Sequence, residues 1–162
     1  MTPDSTLTIR PLRPDQDIPR LFALIRELAD YEKLPIHVDA EGFAKGLAAA
    51  PQVGTALAWD GESAVGYALW YPTFSTFRGQ SRLFLEDLYV TPTARGKGFG
   101  KALLAHVAGV AVERGCEVLH WQVLAWNELA IRFYRGLGAE LDDGWNDCRL
   151  TGEPLTKLAA LK

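Results

Sequence analysis

"VTPTARGKGFGKALLAHVAGVAVERG", Val90 to Gly115, decides the fold. Glycines alternate at 96, 98 and 100, between an apolar run that ends at Val90 and a run in which Leu103, Leu104, Val107, Ala108 and Ala111 recur at helical spacing. Gly115 is a stop signal for that helix. The stretch therefore reads as strand, bare loop, helix. A loop this poor in side chains lets a ligand approach the main chain closely, and the first N–H groups of the following helix point outward without partners. The helix dipole makes that spot attractive to an anion.

Known phosphate loops narrow the choice. G-x-x-x-x-G-K-[ST] is not present at any pair of these glycines. The dinucleotide pattern G-x-G-x-x-G/A fails from Gly96, where Lys101 takes the third position, and from Gly98, where Leu103 does. What remains is a pyrophosphate cradle of another kind. Arg95, Lys97 and Lys101 flank it with positive charge, and a side chain at 96, 98 or 100 would hold a phosphate away from the main chain.

Working outward, "LTIRPL" (7–12) reads as a strand, and 18–28 as a helix introduced by Asp15 and Asp17 and ended before Pro35. "DAEGFAKGLAA" (39–49) reads as a second, weaker helix. "GTALAWD" (54–60) and "SAVGYALWYPTF" (63–74) flank Asp60-Gly61, a hairpin signal. "RLFLEDLYV" (82–90) follows after a loop over 73–81. Beyond the central helix, "EVLHWQVLA" (117–125) is expected to be a strand, "NELAIRFYRGLG" (127–138) a helix capped by Asn127, and 139–151 one or two short strands. The fold class is α/β, in the sense of a mixed, mostly antiparallel sheet flanked by helices, in a single domain over 1–162. On the helix over 127–138, Leu129, Phe133 and Leu137 are expected to face the core. Asn127 and Tyr134, seven residues apart, share another face.

Composition excludes several classes. With 48% hydrophobic and 23% charged residues the chain is an ordinary globular one. A net charge of -3 gives no basic excess for nucleic acid. No apolar run approaches the roughly 18 residues of a membrane span, and the start has no signal-peptide core, so no membrane partner and a cytoplasmic location are expected. Cys116, Cys148 and three scattered histidines lack metal-ligand spacing, so no metal is expected.

"ARGKGFGKALL" resembles the R/Q-x-x-G-x-G/A loop of GNAT N-acetyltransferases, and "AWNELAIRFYRGLGA" (125–139) resembles that family's next strand and helix. "ELADYEKL" (27–34), "LFLEDLYV" (83–90), "RGKGFGK" (95–101) and "WNELAIRFY" (126–134) are similar to the spermidine/spermine acetyltransferase branch, which includes thialysine acetyltransferases. The likeness covers nearly the whole chain. It implies the GNAT acyl-CoA N-acyltransferase fold, acetyl-CoA as co-substrate, direct transfer to a primary amine of a small cation, and a homodimer that exchanges "QVLAWN" and a C-terminal strand.

By residue, the resemblance implies that Leu88, Tyr89 and Val90 pair with the pantetheine arm and that Arg95, Gly96, Lys97, Gly98, Phe99, Gly100 and Lys101 grip the pyrophosphate. Asn127 and Ala130 add contacts to the arm. Tyr134 is implied as the general acid for the departing thiolate, and Glu86 as the group that relays the amine's proton through water. Strand alternation sets Glu86 and Asp87 on opposite faces, and which of the two moves the proton stays open. A main-chain N–H near Leu88 is implied as oxyanion donor. Tyr31, Glu32, Glu86, His120, Trp121, Gln122 and Asp143 match amine-facing positions. For His120, a hydrogen-bonded structural role competes with substrate contact.

Two positions depart from that branch: Ala125 replaces an acidic residue and Leu129 a proline. The first thins the negative charge nearby, which argues against a long polyamine and leaves room for a shorter amine such as a lysine analogue. The rival readings are a peptide or protein N-acetyltransferase and a non-catalytic acyl-CoA sensor.

Overall fold

A computed structural model describes residues 7–142, 144 and 146–161. The chain divides into two compact units, Met1–Gln122 and Val123–Lys162. The first holds a sheet in the order β1 (Leu7–Pro11), β2 (Gly54–Asp60), β3 (Ser63–Ser75), β4 (Gln80–Val90), β5 (Leu119–Trp121). Every pairing is antiparallel except the last, in which β5 lies parallel to β4. The parallel pair follows from the crossover helix α3 (Phe99–Glu113) between them.

Helices cover both faces, which explains why β2 and the middle of β3 are nearly continuous apolar runs. On one face Leu57, Trp59, Tyr67, Leu69 and Tyr89 pack with Leu21 and Leu24 of α1 (Pro14–Glu32). Residues of opposite parity, Ala56, Ala58 and Ala68, turn to the α3 face and are small enough for that helix to come close. Gly66 lies there too: a β-carbon at 66 would stand 3.3 Å from Leu103 Cδ1 and 2.5 Å from the Tyr89 carbonyl oxygen. Phe99, Leu103, Leu104, Val107 and Ala111 form the buried stripe of α3.

The start of α1 is fixed by Asp17, which accepts the main-chain N–H of Arg13 at 3.0 Å and its Nε and Nη2 at 3.0 and 3.1 Å. Lys33 closes the helix in a left-handed conformation before Pro35. In α2 (Ala40–Ala48), Asp39 caps the first turn through Gly42 N–H. Asp60-Gly61 makes the expected hairpin turn, with Gly61 at φ 61°.

Several expectations fail. The loop expected over 73–81 shrinks to 76–79, because β3 and β4 stay paired out to Ser75 and Gln80. Pro72 is tolerated because β2 pairs with β3 only as far as Trp70. The strand expected over 117–125 is reduced to three residues, since β4 offers it a partner only from Leu83 to Leu85.

In the second unit, α4 is Glu128–Gly136 and α5 is Gly152–Ala159. No strand occurs there among the described residues, so neither the strands expected over 139–151 nor a C-terminal strand for exchange is found. The Asp142 carboxylate accepts Gly144 N–H at 2.9 Å, a local bond that competes with strand pairing. On α4 the buried residues are Ile131 and Tyr134, while Leu129 and Leu137 are exposed and Phe133 half-buried. The stripe expected to face the core is thus displaced: Asn127, Ile131 and Tyr134 share a face at spacings of four and three.

Candidate active site

The glycine loop is built as the sequence implies. A 3-10 turn at Pro92–Ala94 ends β4's exit, and Gly96 and Gly98 follow at φ 77° and 93°. A side chain is strained at such angles. Gly98 is the residue before α3 and supplies no side-chain cap, so the first-turn N–H groups at Phe99, Gly100 and Lys101 lack intrahelical partners. Among the described residues, and apart from its own chain neighbours, nothing lies within 4 Å of where a β-carbon at 96 would stand. Bare main chain, a helix start and open space fit a diphosphate.

The basic residues divide their work. Arg95 is turned back: its Nε donates to the Val90 carbonyl at 3.0 Å, and its guanidinium lies 4.9 Å from the Tyr31 ring and 5.7 Å from that of Tyr89. It anchors the loop to β4 and α1. Lys97 reaches Asp60 at 4.0 Å, and Lys101 is exposed.

At Leu69 and Trp70 the register of β3 on β4 slips. Leu69 faces Asp87, but Trp70 faces Leu85, so Glu86 is the extra residue of a β-bulge. Pairing with β5 also stops at Leu85. Among the described residues, β4 from Glu86 to Val90, including Leu88 and Tyr89, has no strand on the side away from β3. That edge can pair with an extended arm such as pantetheine, which fits the loop beyond it.

The bulge corrects the expected placement of Glu86 and Asp87. Tyr67 and Tyr71 are four residues apart on β3 and look to the same face, against the α1 core. Tyr67 donates its hydroxyl to Asp87 Oδ2 at 3.0 Å, and Tyr71 donates to Glu86 Oε2 at 2.8 Å. Both carboxylates therefore turn to one face. Glu86 is exposed and Asp87 half-buried. Burial, with smaller contributions from the charges of Glu86 and Glu32, pushes the Asp87 carboxyl up to about 6, against the pull of the Tyr67 hydroxyl. Burial raises Glu32 as well. The phenol of Tyr71 is pushed up to about 12, by burial first and then by its bond to Glu86.

His120 meets Thr73 Oγ1 through Nε2 at 3.0 Å and packs edge-on against Phe84, with ring centres 4.9 Å apart. Burial and then Arg82 lower its pKa, which favours the neutral ring. Trp121 is half-buried and Gln122 exposed at the end of β5.

In the second unit Asn127 Oδ1 accepts Ala130 N–H at 3.2 Å, the helix-cap role read from sequence, and Tyr134 is buried on α4. Asp143 lies outside the described residues.

The structure thus gathers Glu86, Asp87 and Glu32 on one face of the first unit. Sequence reading missed Tyr67 and Tyr71. The signal available was their same-parity placement in one strand beside a paired acidic strand. Among the described residues no group of side chains could hold a metal ion, and no helix is long and apolar enough to cross a membrane.

The sequence profile of the acetyltransferase (GNAT) family matches residues 18–139. A thialysine N-epsilon-acetyltransferase of Bos taurus is 38% identical over 157 residues, covering 88% of this chain and 92% of the relative. An integron cassette protein from V. cholerae superposes with a TM-score of 0.79 at 26% identity, covering 96% of this chain and 98% of that one. An aminoglycoside acetyltransferase solved with a CoA-containing bisubstrate analogue superposes with a TM-score of 0.76 at 22% identity, covering 91% and 100%, and so shares the fold.

Proposed function

Because this chain belongs to the acetyltransferase (GNAT) family and is an acetyl-CoA-dependent N-acetyltransferase, we propose that its acceptor is the primary amine of a small cation, of the lysine-analogue or diamine type. The observation that carries the reading is the bulge in β4, which turns Glu86 and Asp87 to one face beside the edge left open by β5. Likeness to thialysine acetyltransferases supports a lysine-analogue amine.

In this reading the first-turn N–H groups of α3 hold the pyrophosphate, and Gly96 and Gly98 let it close on the main chain. The open edge of β4 at 88–90 pairs with the pantetheine arm, and the N–H of Leu88 receives the carbonyl oxygen as it becomes an oxyanion. An alkyl ammonium, with a pKa of about 10.4, must lose a proton before its nitrogen can attack. The carboxylates of Glu86, Asp87 and Glu32 attract the cation and supply an acceptor. Tyr134 gives a proton to the departing thiolate.

The test is thiol release from acetyl-CoA with thialysine, lysine, putrescine, spermidine, aminoglycosides and lysine peptides. The expected result is turnover highest with thialysine or a short diamine. Preference for peptides would move the reading to protein acetylation, and binding of acetyl-CoA without thiol release from any amine would refute it.

A further inference from the structure

We propose that Asp87 takes the proton from the incoming ammonium, that Tyr67 is its positioning residue, and that Glu86 grips the amine without accepting that proton. The inference rests on the acetyltransferase reading above.

The geometry separates two carboxylates that are neighbours in sequence. Tyr71 and Glu86 form a bond at the water-exposed rim. The Tyr67 ring, in contrast, is fully enclosed by the α1 core, at 0% exposure. Its hydroxyl reaches Asp87 and so fixes that carboxylate from below through Oδ2. A phenol in a packed core cannot turn away without disturbing the packing, so Asp87 is held in one orientation. The bulge makes the arrangement possible, because an unbroken strand would send one of the two acids to the α3 face.

The groups facing Asp87 are Tyr67 and Tyr71 of β3, Glu86 of β4 and Glu32 of α1; Tyr89, beside Tyr67, gives its hydroxyl to Glu27. Among the described residues, the charges acting on Asp87 are those of the acids Glu86 and Glu32, and no cation is among them. Arg95, which reaches the Tyr89 ring, is occupied with Tyr31, Tyr89 and Val90. An ammonium is the charge this setting lacks.

The step balances. R–NH3+ and the Asp87 carboxylate become R–NH2 and a carboxylic acid. The nitrogen lone pair forms a C–N bond with the thioester carbon, and the carbonyl π pair moves to oxygen. The oxygen's electron pair then re-forms the carbonyl as the C–S bond breaks; the sulfur takes a proton from Tyr134 and leaves as the thiol, and the adduct nitrogen's surplus proton, passed on through water, restores Tyr134. Asp87 returns its proton to water. With the Asp87 carboxyl near 6, moving a proton from an amine of about 10.4 is uphill by roughly 10⁴-fold, against about 10⁶-fold for an ordinary glutamate.

The test is the pH dependence of kcat/KM with the best amine of the panel, for wild type, Asp87→Asn, Tyr67→Phe and Glu86→Gln, each checked for folding by thermal melt. In wild type the acidic limb is expected near pH 6. Asp87→Asn should lose about 10²–10³-fold and the limb with it. Tyr67→Phe keeps the ring but removes the hydrogen bond that favours the carboxylate, so its limb should move to higher pH. Glu86→Gln removes a negative neighbour, so its limb should move to lower pH while the amine KM rises. A 13C carboxyl titration reads the same opposite shifts without turnover. If Glu86→Gln erases the limb while Asp87→Asn keeps its rate, or Tyr67→Phe leaves the limb in place, the assignment is overturned and the acetyltransferase reading stands. If wild type releases no thiol with any amine, both fall.

Discussion

Asp17 and Asp87 are carboxylates of the same unit, both withdrawn from water, and they are built for opposite ends. Asp17, at 1% exposure, is held by three N–H groups of Arg13, with Arg20 at 4.0 Å. The hydrogen bonds from Arg13 keep its carboxyl below the usual range. Asp87 receives one neutral hydroxyl and faces other acids, and its carboxyl is pushed up to about 6. A carboxylate with its cation supplied by the chain finishes a helix. One whose cation is withheld is held ready for a cation from outside.

The largest effect that bears on this contrast is expected at neither aspartate. Tyr134→Phe should lower turnover by about 10²–10⁴-fold with little change in CoA affinity. It should also leave the acidic limb of the pH profile where Asp87 sets it. Loss of that limb in Tyr134→Phe would mean that the limb reports the tyrosine's surroundings, and the contrast between the two aspartates would lose its catalytic half.

The aspartates themselves should give crossed results. Asp87→Asn should lose about 10²–10³-fold in kcat/KM while its melting temperature holds or rises, because a costly half-buried charge is gone. Asp17→Asn should keep wild-type kcat at 25 °C but lose about 1–2 kcal/mol, through weakened charge-assisted bonds at the start of α1. At this chain length that is roughly 2–8 °C. A stable Asp17→Asn, or a destabilised Asp87→Asn, measured by thermal melts, would erase the distinction.

The pH dependence of stability carries the same signs. Asp17 has a folded value below its unfolded one, so its contribution is present above about 3.8 and fades as pH falls through the folded value. Asp87 has a folded value near 6, above its unfolded one. Its charge therefore costs stability above pH 6, and the cost is relieved as pH falls from 6 towards 4. Urea midpoints should show wild type gaining on Asp87→Asn between pH 7 and 4.5, and the deficit of Asp17→Asn shrinking below about pH 3.8. Parallel curves for wild type and Asp87→Asn would show that Asp87 is not perturbed.

Sequence reveals the helical end of this contrast better than the sheet end. Asp17 stands where helix-start residues are expected, because capping is local: its partner Arg13 is four residues away. The glycine loop is legible for the same reason, since conformation and ligand chemistry both reside in a few consecutive residues. The bonds of Tyr67 to Asp87 and Tyr71 to Glu86 span twenty and fifteen residues and depend on strand register. A single extra residue in β4 reverses the face of one acid, and no residue type at 84–88 announces it. The shortened β5 has the same origin, for the strand ends where β4 ceases to be a partner. The second unit is the least legible in sequence. Helix α5 is short, buries no residue and carries exposed leucines at 155 and 158, so its sequence holds no core-facing stripe that would mark a helix.

The smallest expected effect lies at the border of the two regions. Tyr89 donates to Glu27 Oε2 at 3.1 Å, joining β4 to α1 two residues from Asp87 and close to the Arg95 guanidinium. Tyr89→Phe keeps the ring in the core and removes one bond to an exposed carboxylate, so it should cost only about 0.5–1.5 kcal/mol. Arg95 keeps the Val90 carbonyl and the Tyr31 ring as anchors, so affinity for CoA should change by less than about threefold, since a factor of ten needs 1.4 kcal/mol. A rise of more than tenfold in the amine KM, with CoA affinity intact, would show that the Glu27 bond positions Tyr31 and Glu32 for substrate. The end of α1 would then join Asp87 on the chemical side of the contrast, leaving only the beginning of that helix, at Asp17, to stability.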